Sequence, residues 1–307
     1  MLNGLTGNVL VLDSGNALFR VNPGGRASED DERRARLVLS TMGVLGTKVF
    51  AVGFRDLVAG AGFLSTEAKK AGVQLVSTNL ELNGKPAFAR SAVIDQGGVK
   101  VAVLVASGFG PVPGAPGLAG TPTLGALKAE LGRLPARDLT IVIDTAGYED
   151  SMALADALSG SVDVVIQSGE FRGTVPPQRV RDTFLLASGQ RGQSVAKLEL
   201  TLAKGTGPFF DLNESARDVE LLQNLDQQLK SLDERLNLAK DAQAKQGLQS
   251  LMKEMKTRRE EQAKRVKTAA GARTLKLDWL LLGADIKDDE AIKAEVLKVE
   301  PTYSGLH

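Results

Sequence analysis

The chain has 307 residues, 43% hydrophobic and 24% charged, with a formal net charge of +1; this is the composition of a globular protein with a sizeable core, without a global field for nucleic acid or an anionic membrane. It has no cysteine and a single histidine, His307, which excludes disulfides, thiolate metal sites, attached haem and Cys nucleophiles, and leaves a Ser/His/Asp triad only a terminal imidazole. Aromatics are 4%, little material for stacking bases; no run of about 18 apolar residues could span a bilayer, and Met1–Gly7 lacks the basic segment and apolar core of a signal peptide.

Residues 8 to about 211 read as alternating strands and helices. Val9–Leu12 is a short apolar run ending in Asp-Ser-Gly, a buried strand entering a loop. Ser28 followed by Glu29, Asp30 and Asp31 supplies the cap and acidic first turn of a helix through Met42. Strands follow at Lys48–Val52 and Gln74–Ser77, and a hairpin at Pro86–Ala106 with its turn at Gln96-Gly97-Gly98. The loop Gly108–Pro122, with its Gly108-Phe109-Gly110, matches no phosphate-binding fingerprint and reads as turns. A helix around Leu124–Leu134, a strand at Leu139–Ile143, a helix at about Glu149–Leu158 and a strand at Val162–Ile166 come next. Thr183–Ala187, Val195–Leu200 and Phe209–Asp211 are strands without intervening helices, so the pattern is sheets covered by helices rather than a pure Rossmann order.

Composition changes after Asn213. Leu222, Leu225, Leu229, Leu232 and Leu236 step at heptad spacing, and Leu248, Leu251, Met252 and Met255 resume the stripe. Two helices folded back near Gly247 would bury both stripes, a coiled-coil hairpin over 214–270; one long helix, or a helix lying flat on the body, is the alternative. Lys253–Lys276 carries nine Lys/Arg against three Glu and reads as a solvated helix face, with a patch for an acidic partner as the sharper reading. Leu275–Leu282 is a strand that could rejoin the main sheet, and Asp288–Val299 a closing helix stopped before Pro301.

The succession of motifs resembles the N-terminal domain of the 5'-nucleotidase group of calcineurin-like metallophosphoesterases. The resemblance rests on Leu12-Asp13-Ser14-Gly15-Asn16, Val52-Gly53-Phe54-Arg55-Asp56, Val76-Ser77-Thr78-Asn79-Leu80 and Gly98-Val99-Lys100-Val101. Asp144-Thr145-Ala146-Gly147, Asp163-Val164-Val165 before Gly169-Glu170-Phe171-Arg172, and Ala187-Ser188-Gly189 before Lys197-Leu198-Glu199-Leu200 continue it. It implies a two-sheet α/β/β/α sandwich carrying the helical hairpin as an insertion: an α/β domain over 1–213, the hairpin over 214–270, and a returning strand and closing helix over 271–307.

Departures from the family pattern fall on the metal ligands. The bridging aspartate becomes Asn16, the Asn-His pair becomes Phe54-Arg55, the Ser-His histidine becomes Thr145, and the histidines of Gly-His-x-His become Glu170 and Arg172. The usual first motif, Asp-x-His on an earlier strand, has no counterpart, either because the start is trimmed or because that strand is lost. The vestigial cleft positions are therefore Asn16, Phe54, Arg55, Asp56, Thr145, Glu170 and Arg172, with no catalytic role assigned. The remaining oxygen donors, Asp13, Asn16, Asp56, Asp144 and Glu170, would suit Mg²⁺ or Mn²⁺ better than zinc.

The expectation is a degenerate metallophosphoesterase-like protein without hydrolase activity, a binding or scaffolding module with no cofactor. Its protein partner would use the hairpin 214–270, and a phosphate or nucleotide-like anion could occupy the cleft beside Arg55 and Arg172. Neither membrane nor nucleic acid is expected as a partner. The alternative is a divalent-metal phosphohydrolase (Mn, Mg or Zn) acting on nucleotides or sugar nucleotides through a reduced oxygen-ligand site. The resemblance also implies the periplasm or cell envelope.

Overall fold

The computed structural model describes residues 7–20, 23–169, 176–187, 193–202, 207–266, 272–283 and 286–303. Two compact units are present, one of Met1–Lys197 with Trp279–His307 and one of Leu198–Asp278.

The first unit begins with β1 (Val11–Asp13), α1 (Glu29–Val44), β2 (Thr47–Ala51), α2 (Ala61–Ala71) and β3 (Gln74–Val76), whose strands form a parallel sheet in the order β1-β2-β3. Ser28 starts α1 with a reciprocal capping box: its hydroxyl accepts from Asp31 N while the Asp31 carboxylate accepts from Ser28 N. The sequence reading missed α2, because Gly60 gives it no side-chain cap and only Leu64 and Ala68 mark its buried stripe.

Next come β4 (Leu80–Leu82), β5 (Lys85–Pro86), β6 (Ser91–Gln96), β7 (Val99–Ala106), β8 (Gly110–Pro111), β9 (Leu118–Gly120), α3 (Thr123–Leu131), β10 (Leu139–Asp144), α4 (Tyr148–Ala157), β11 (Val164–Gln167), β12 (Gln178–Val180) and β13 (Thr183–Ala187). A six-stranded sheet runs β12-β13-β11-β10-β7-β6, parallel at its centre and antiparallel at both edges. The segment read as Gly/Pro-rich turns instead contributes to a small antiparallel sheet, β5-β4-β9-β8; strands of two or three residues are too short to show a period in sequence.

Strand periodicity defines the layers. Phe50 of β2 and Val52 just past its end pack with Leu39 of α1 and Leu64 of α2, while Val49 and Ala51 on the other face are equally buried. In the larger sheet Leu104 and Val142 pack against Leu127 of α3 and Leu154 of α4, while Val103, Val105, Ile141 and Ile143 fill its opposite face. Burial on both faces of both sheets is what an α/β sandwich requires.

The second unit contains most of β14 (Ser194–Thr201), then β15 (Phe210–Asp211), α5 (Leu212–Leu238), α6 (Ala242–Arg265) and most of β16 (Thr274–Leu281). The strand expected to rejoin the main sheet does not do so: β16 lies between β14 and β15 in a separate three-stranded sheet. The cause is a tie at the base of the helix pair. Asn213 Nδ2 donates to Leu277 O at 2.8 Å and its Oδ1 accepts from Leu277 N at 2.7 Å, and the Arg273 guanidinium lies 4.0 Å over the buried Phe209 ring.

The bend between α5 and α6 falls at Ala239–Asp241, earlier than the expected Gly247. Asp241 caps α6 by accepting from Ala244 N at 2.7 Å, whereas Gly247 is absorbed inside the helix at a cost of about 1 kcal/mol relative to Ala. The two helices run antiparallel, joined by Arg259 Nε donating to Asp226 at 2.7 Å and Gln262 Nε2 donating to Asp218 Oδ1 at 2.9 Å. α7 (Glu290–Val299), capped by Asp289, belongs to the first unit, where Arg34 of α1 pairs with Glu300.

Candidate functional site

The C-terminal ends of β1, β2, β10 and β11 deliver four loops to one edge of the sandwich: Ser14–Ala17, Val52–Asp56, Thr145–Gly147 and Ser168-Gly169. Open α/β sheets place ligand crevices at this edge. Asp13, Asn16, Phe54, Arg55, Asp56, Asp144 and Thr145 all lie there; Glu170 and Arg172 fall outside the described residues.

Asp56 is the hub. It is fully buried, and its carboxylate accepts from four backbone N–H groups: Asn16 and Gly53 on Oδ2 at 2.8 and 2.9 Å, Ala17 and Leu18 on Oδ1 at 2.9 and 3.2 Å. One carboxylate thus ties the loop after β1 to the 3-10 turn Phe54–Leu57.

Asn16 sits at φ 56, in the left-handed region that asparagine tolerates. Its Nδ2 donates to Thr145 O at 3.1 Å, and its Oδ1 accepts from Arg55 N at 3.4 Å. One amide side chain therefore bridges three loops, two from the smaller sheet and one from the larger. The fit is close: a Cβ on Gly53 would stand 2.2 Å from Asn16 Oδ1, and one on Gly15 (φ +83) 2.1 Å from Ala51 O. Ser168 adds a further stitch, its hydroxyl donating to Ser14 O at 2.5 Å.

The other conspicuous residues are also occupied. Asp144 accepts from Ser151 Oγ at 2.6 Å and Ala146 N at 3.1 Å, fixing the start of α4. Thr145 Oγ1 donates to Ala106 O at 3.2 Å. The Phe54 ring packs on the first core cluster and against Gly108. Asp13 spends one oxygen on Gly15 N at 2.9 Å. Behind this edge Asn79 is buried, its Nδ2 donating to Gly108 O and Thr121 O and its Oδ1 accepting from Ser107 N.

This chemistry does not fit a two-metal centre, which needs several free carboxylates and imidazoles converging on ions ~3.5–4 Å apart. Among the described residues no group of three or more His, Cys, Asp or Glu side chains is placed to hold a metal ion. The sequence singled out Asn16 and Asp56 by position, but their role as loop staples, and that of Ser168, depends on backbone partners up to 154 residues away.

The expected result for Asn16→Asp follows from its partner. A carboxylate would face the Thr145 carbonyl in place of a donor, costing about 1–3 kcal/mol. Thermal unfolding should register that loss, and millimolar Mn²⁺ should not restore it; recovery with Mn²⁺ would show a ligand set able to hold the ion.

The buried acids also set a pH dependence. Burial pushes Asp56 up to about 7, opposed by the backbone N–H groups of Gly53, Asn16 and Leu18 and reinforced by the nearby Asp13 charge. Burial likewise raises Asp144 to about 6, opposed by the Ser151 hydroxyl and Ala146 N, and it raises Asp13 against the Gly15 bond. The unfolded chain releases these protons near 3.8, whereas folded Asp144 and Asp56 hold them to about 6 and about 7. The folded state binds more protons across that window, so this contribution to stability declines as pH rises through it. Melting temperatures should therefore be lower at pH 8 than at pH 5; the reverse order would mean that the hydrogen bonds outweigh burial and keep both groups ionised.

No protein-family model and no curated protein sequence matches the chain. Solved structures do. A 5'-nucleotidase precursor from Thermus thermophilus superposes with a TM-score of 0.55 at 20% identity, over 68% of this chain and 45% of that one. The sulfate thiohydrolase SoxB of Thermus thermophilus gives a TM-score of 0.54 at 21% identity, over 64% and 36%. A Staphylococcus aureus protein assigned as a 5'-nucleotidase gives 0.58 at 11% identity, over 95% and 49%. The chain thus has the metallophosphoesterase-type α/β fold and spans less than half the length of these structures.

Proposed function

We propose, from a metallophosphoesterase-type fold in which the side chains at two ligand positions, Asn16 and Thr145, are spent on hydrogen bonds within the chain, that the protein is a degenerate, non-hydrolytic member of that structural class acting as a binding or scaffolding module. The observation that carries this reading is the Asn16 amide: it joins three loops at the position where the resemblance places a metal-bridging carboxylate. Where a metal pair would hold such loops through coordination, a neutral amide and the Asp56 carboxylate hold them by direct bonds. The helical pair, read as a coiled coil from its heptad spacing, supplies the partner surface.

Turnover assays test the reading. Purified protein with bis-p-nitrophenyl phosphate, AMP or UDP-glucose, each with Mn²⁺, Mg²⁺ or Zn²⁺, should release product no faster than the metal ion alone. A rate above that background that disappears in Asp13→Ala would replace the proposal with a phosphohydrolase working through a reduced oxygen-ligand site.

A further inference from the structure

Charge is segregated between the two long helices. α5 carries six acidic residues against three basic, and α6 seven basic against three acidic. The seam between them takes up Leu225, Leu229 and Leu232 of α5 and Met252 and Met255 of α6, all buried or half-buried. At 100° per residue, Lys245, Lys253, Lys256 and Lys264 fall within one arc of about 100° to one side of the α6 seam. Asp226, Asp233 and Glu234 fall within a similar arc to the same-sense side of the α5 seam. Lys230 and Glu260 are the single opposite charges in these two rows.

In an antiparallel pair the same-sense flanks lie on one face, so a single face of the hairpin carries an acidic row beside a basic one. Both rows are exposed, and among the described residues none of the four lysines has an ion-pair partner. Exposed Val219 shares this face.

Such a face is complementary to itself in one arrangement only. A two-fold axis along the hairpin lays α5 of one copy over α6 of the other at the same level. Asp226, paired across the seam with Arg259, then comes near Lys256 of the other copy, and Asp233 and Glu234 come near its Lys253. A two-fold axis across the hairpin would instead stack acid on acid and lysine on lysine. The area suffices: 24 residues of α6 run ~36 Å, and two helices side by side are ~20 Å wide, giving ~1,400 Å² buried over both copies, within the usual ~1,200–2,000 Å² of specific interfaces.

We propose that this face docks a second copy of the chain, α5 of each protomer against α6 of its partner, as an antiparallel four-helix dimer held by opposite charges. The proposal rests on the reading of the helical pair as the partner surface and is independent of what the cleft does.

Sedimentation of the full chain tests it. A dimer is expected at low ionic strength, with its dissociation constant rising ~10-fold or more between 50 and 500 mM NaCl as exposed pairs are screened. Lys253→Glu/Lys256→Glu should be monomeric, as should Asp233→Lys/Glu234→Lys, both retaining wild-type helix content by circular dichroism. Mixing the two variants should restore the dimer, because one α5–α6 contact is then wild type and in the other Asp233→Lys and Glu234→Lys meet Lys253→Glu, leaving Asp226 opposite Lys256→Glu as the one like-charged pair. A wild-type monomer at every salt concentration, a dimer indifferent to salt and reversal, or no rescue on mixing would each overturn the proposal. None of these results would bear on hydrolysis, which the turnover assays decide separately.

Discussion

Asp56→Ala is expected to lower folding stability by about 3–5 kcal/mol, since a buried N–H left without an acceptor costs ~1–3 kcal/mol and part of the loss is recovered by water entering the hole. Four N–H groups, on Gly53, Asn16, Ala17 and Leu18, lose their acceptor in one step. The loss is a large share of the ~5–15 kcal/mol that stabilises a typical domain. In urea it should appear as a lower midpoint with an unchanged slope, marking a change in stability rather than in the surface exposed. Asp56→Asn should fall between the two, because its oxygen still serves some of the donors while its amide nitrogen repels the rest. A loss below about 1 kcal/mol for the alanine variant would mean that the loops hold their positions without the hub.

Asn79→Ala ranks second, with an expected cost of about 2–4 kcal/mol. Its side chain satisfies Ser107 N, Gly108 O and Thr121 O from a fully buried position. Around it, the Ser77 and Ser107 hydroxyls are paired at 2.6 Å and Thr78 Oγ1 accepts from Val105 N at 3.0 Å. These bonds connect the chain leaving β3 with the end of β7, so they join the two sheets. Chemical denaturation measures the effect, and Asn79→Asp should be no better, since a carboxylate would face two carbonyl oxygens. A neutral alanine variant would show that the apolar layers alone fix the relation of the two sheets.

Much of the fold was legible because its central strands are apolar runs bounded by turn residues, as at Leu139–Asp144, and because α1 announces itself through Ser28 and the acids that follow. The heptad leucines likewise revealed α5. Elements with no such marks escaped: α2 starts at a glycine, and β8 and β9 are held by pairing with distant partners. The bend at Ala239–Asp241 was misplaced because glycine is the stronger local signal, yet an aspartate cap decided the matter. At the site, residue types showed which metal ligands the chain lacks. They did not show what replaces them, since an asparagine amide reaching a carbonyl 129 residues away leaves no trace in local pattern.

The central claim, that direct hydrogen bonds and not a metal pair organise this cleft, is tested most directly by the metal content of the purified protein. After incubation with Mn²⁺, Zn²⁺ and Mg²⁺ and removal of free ions, mass spectrometry should find no ion retained in stoichiometric amount, with the melting temperature unchanged by the incubation. Retention of one or two ions per chain, abolished by Asp13→Ala, would contradict the account and restore the cleft as a metal centre.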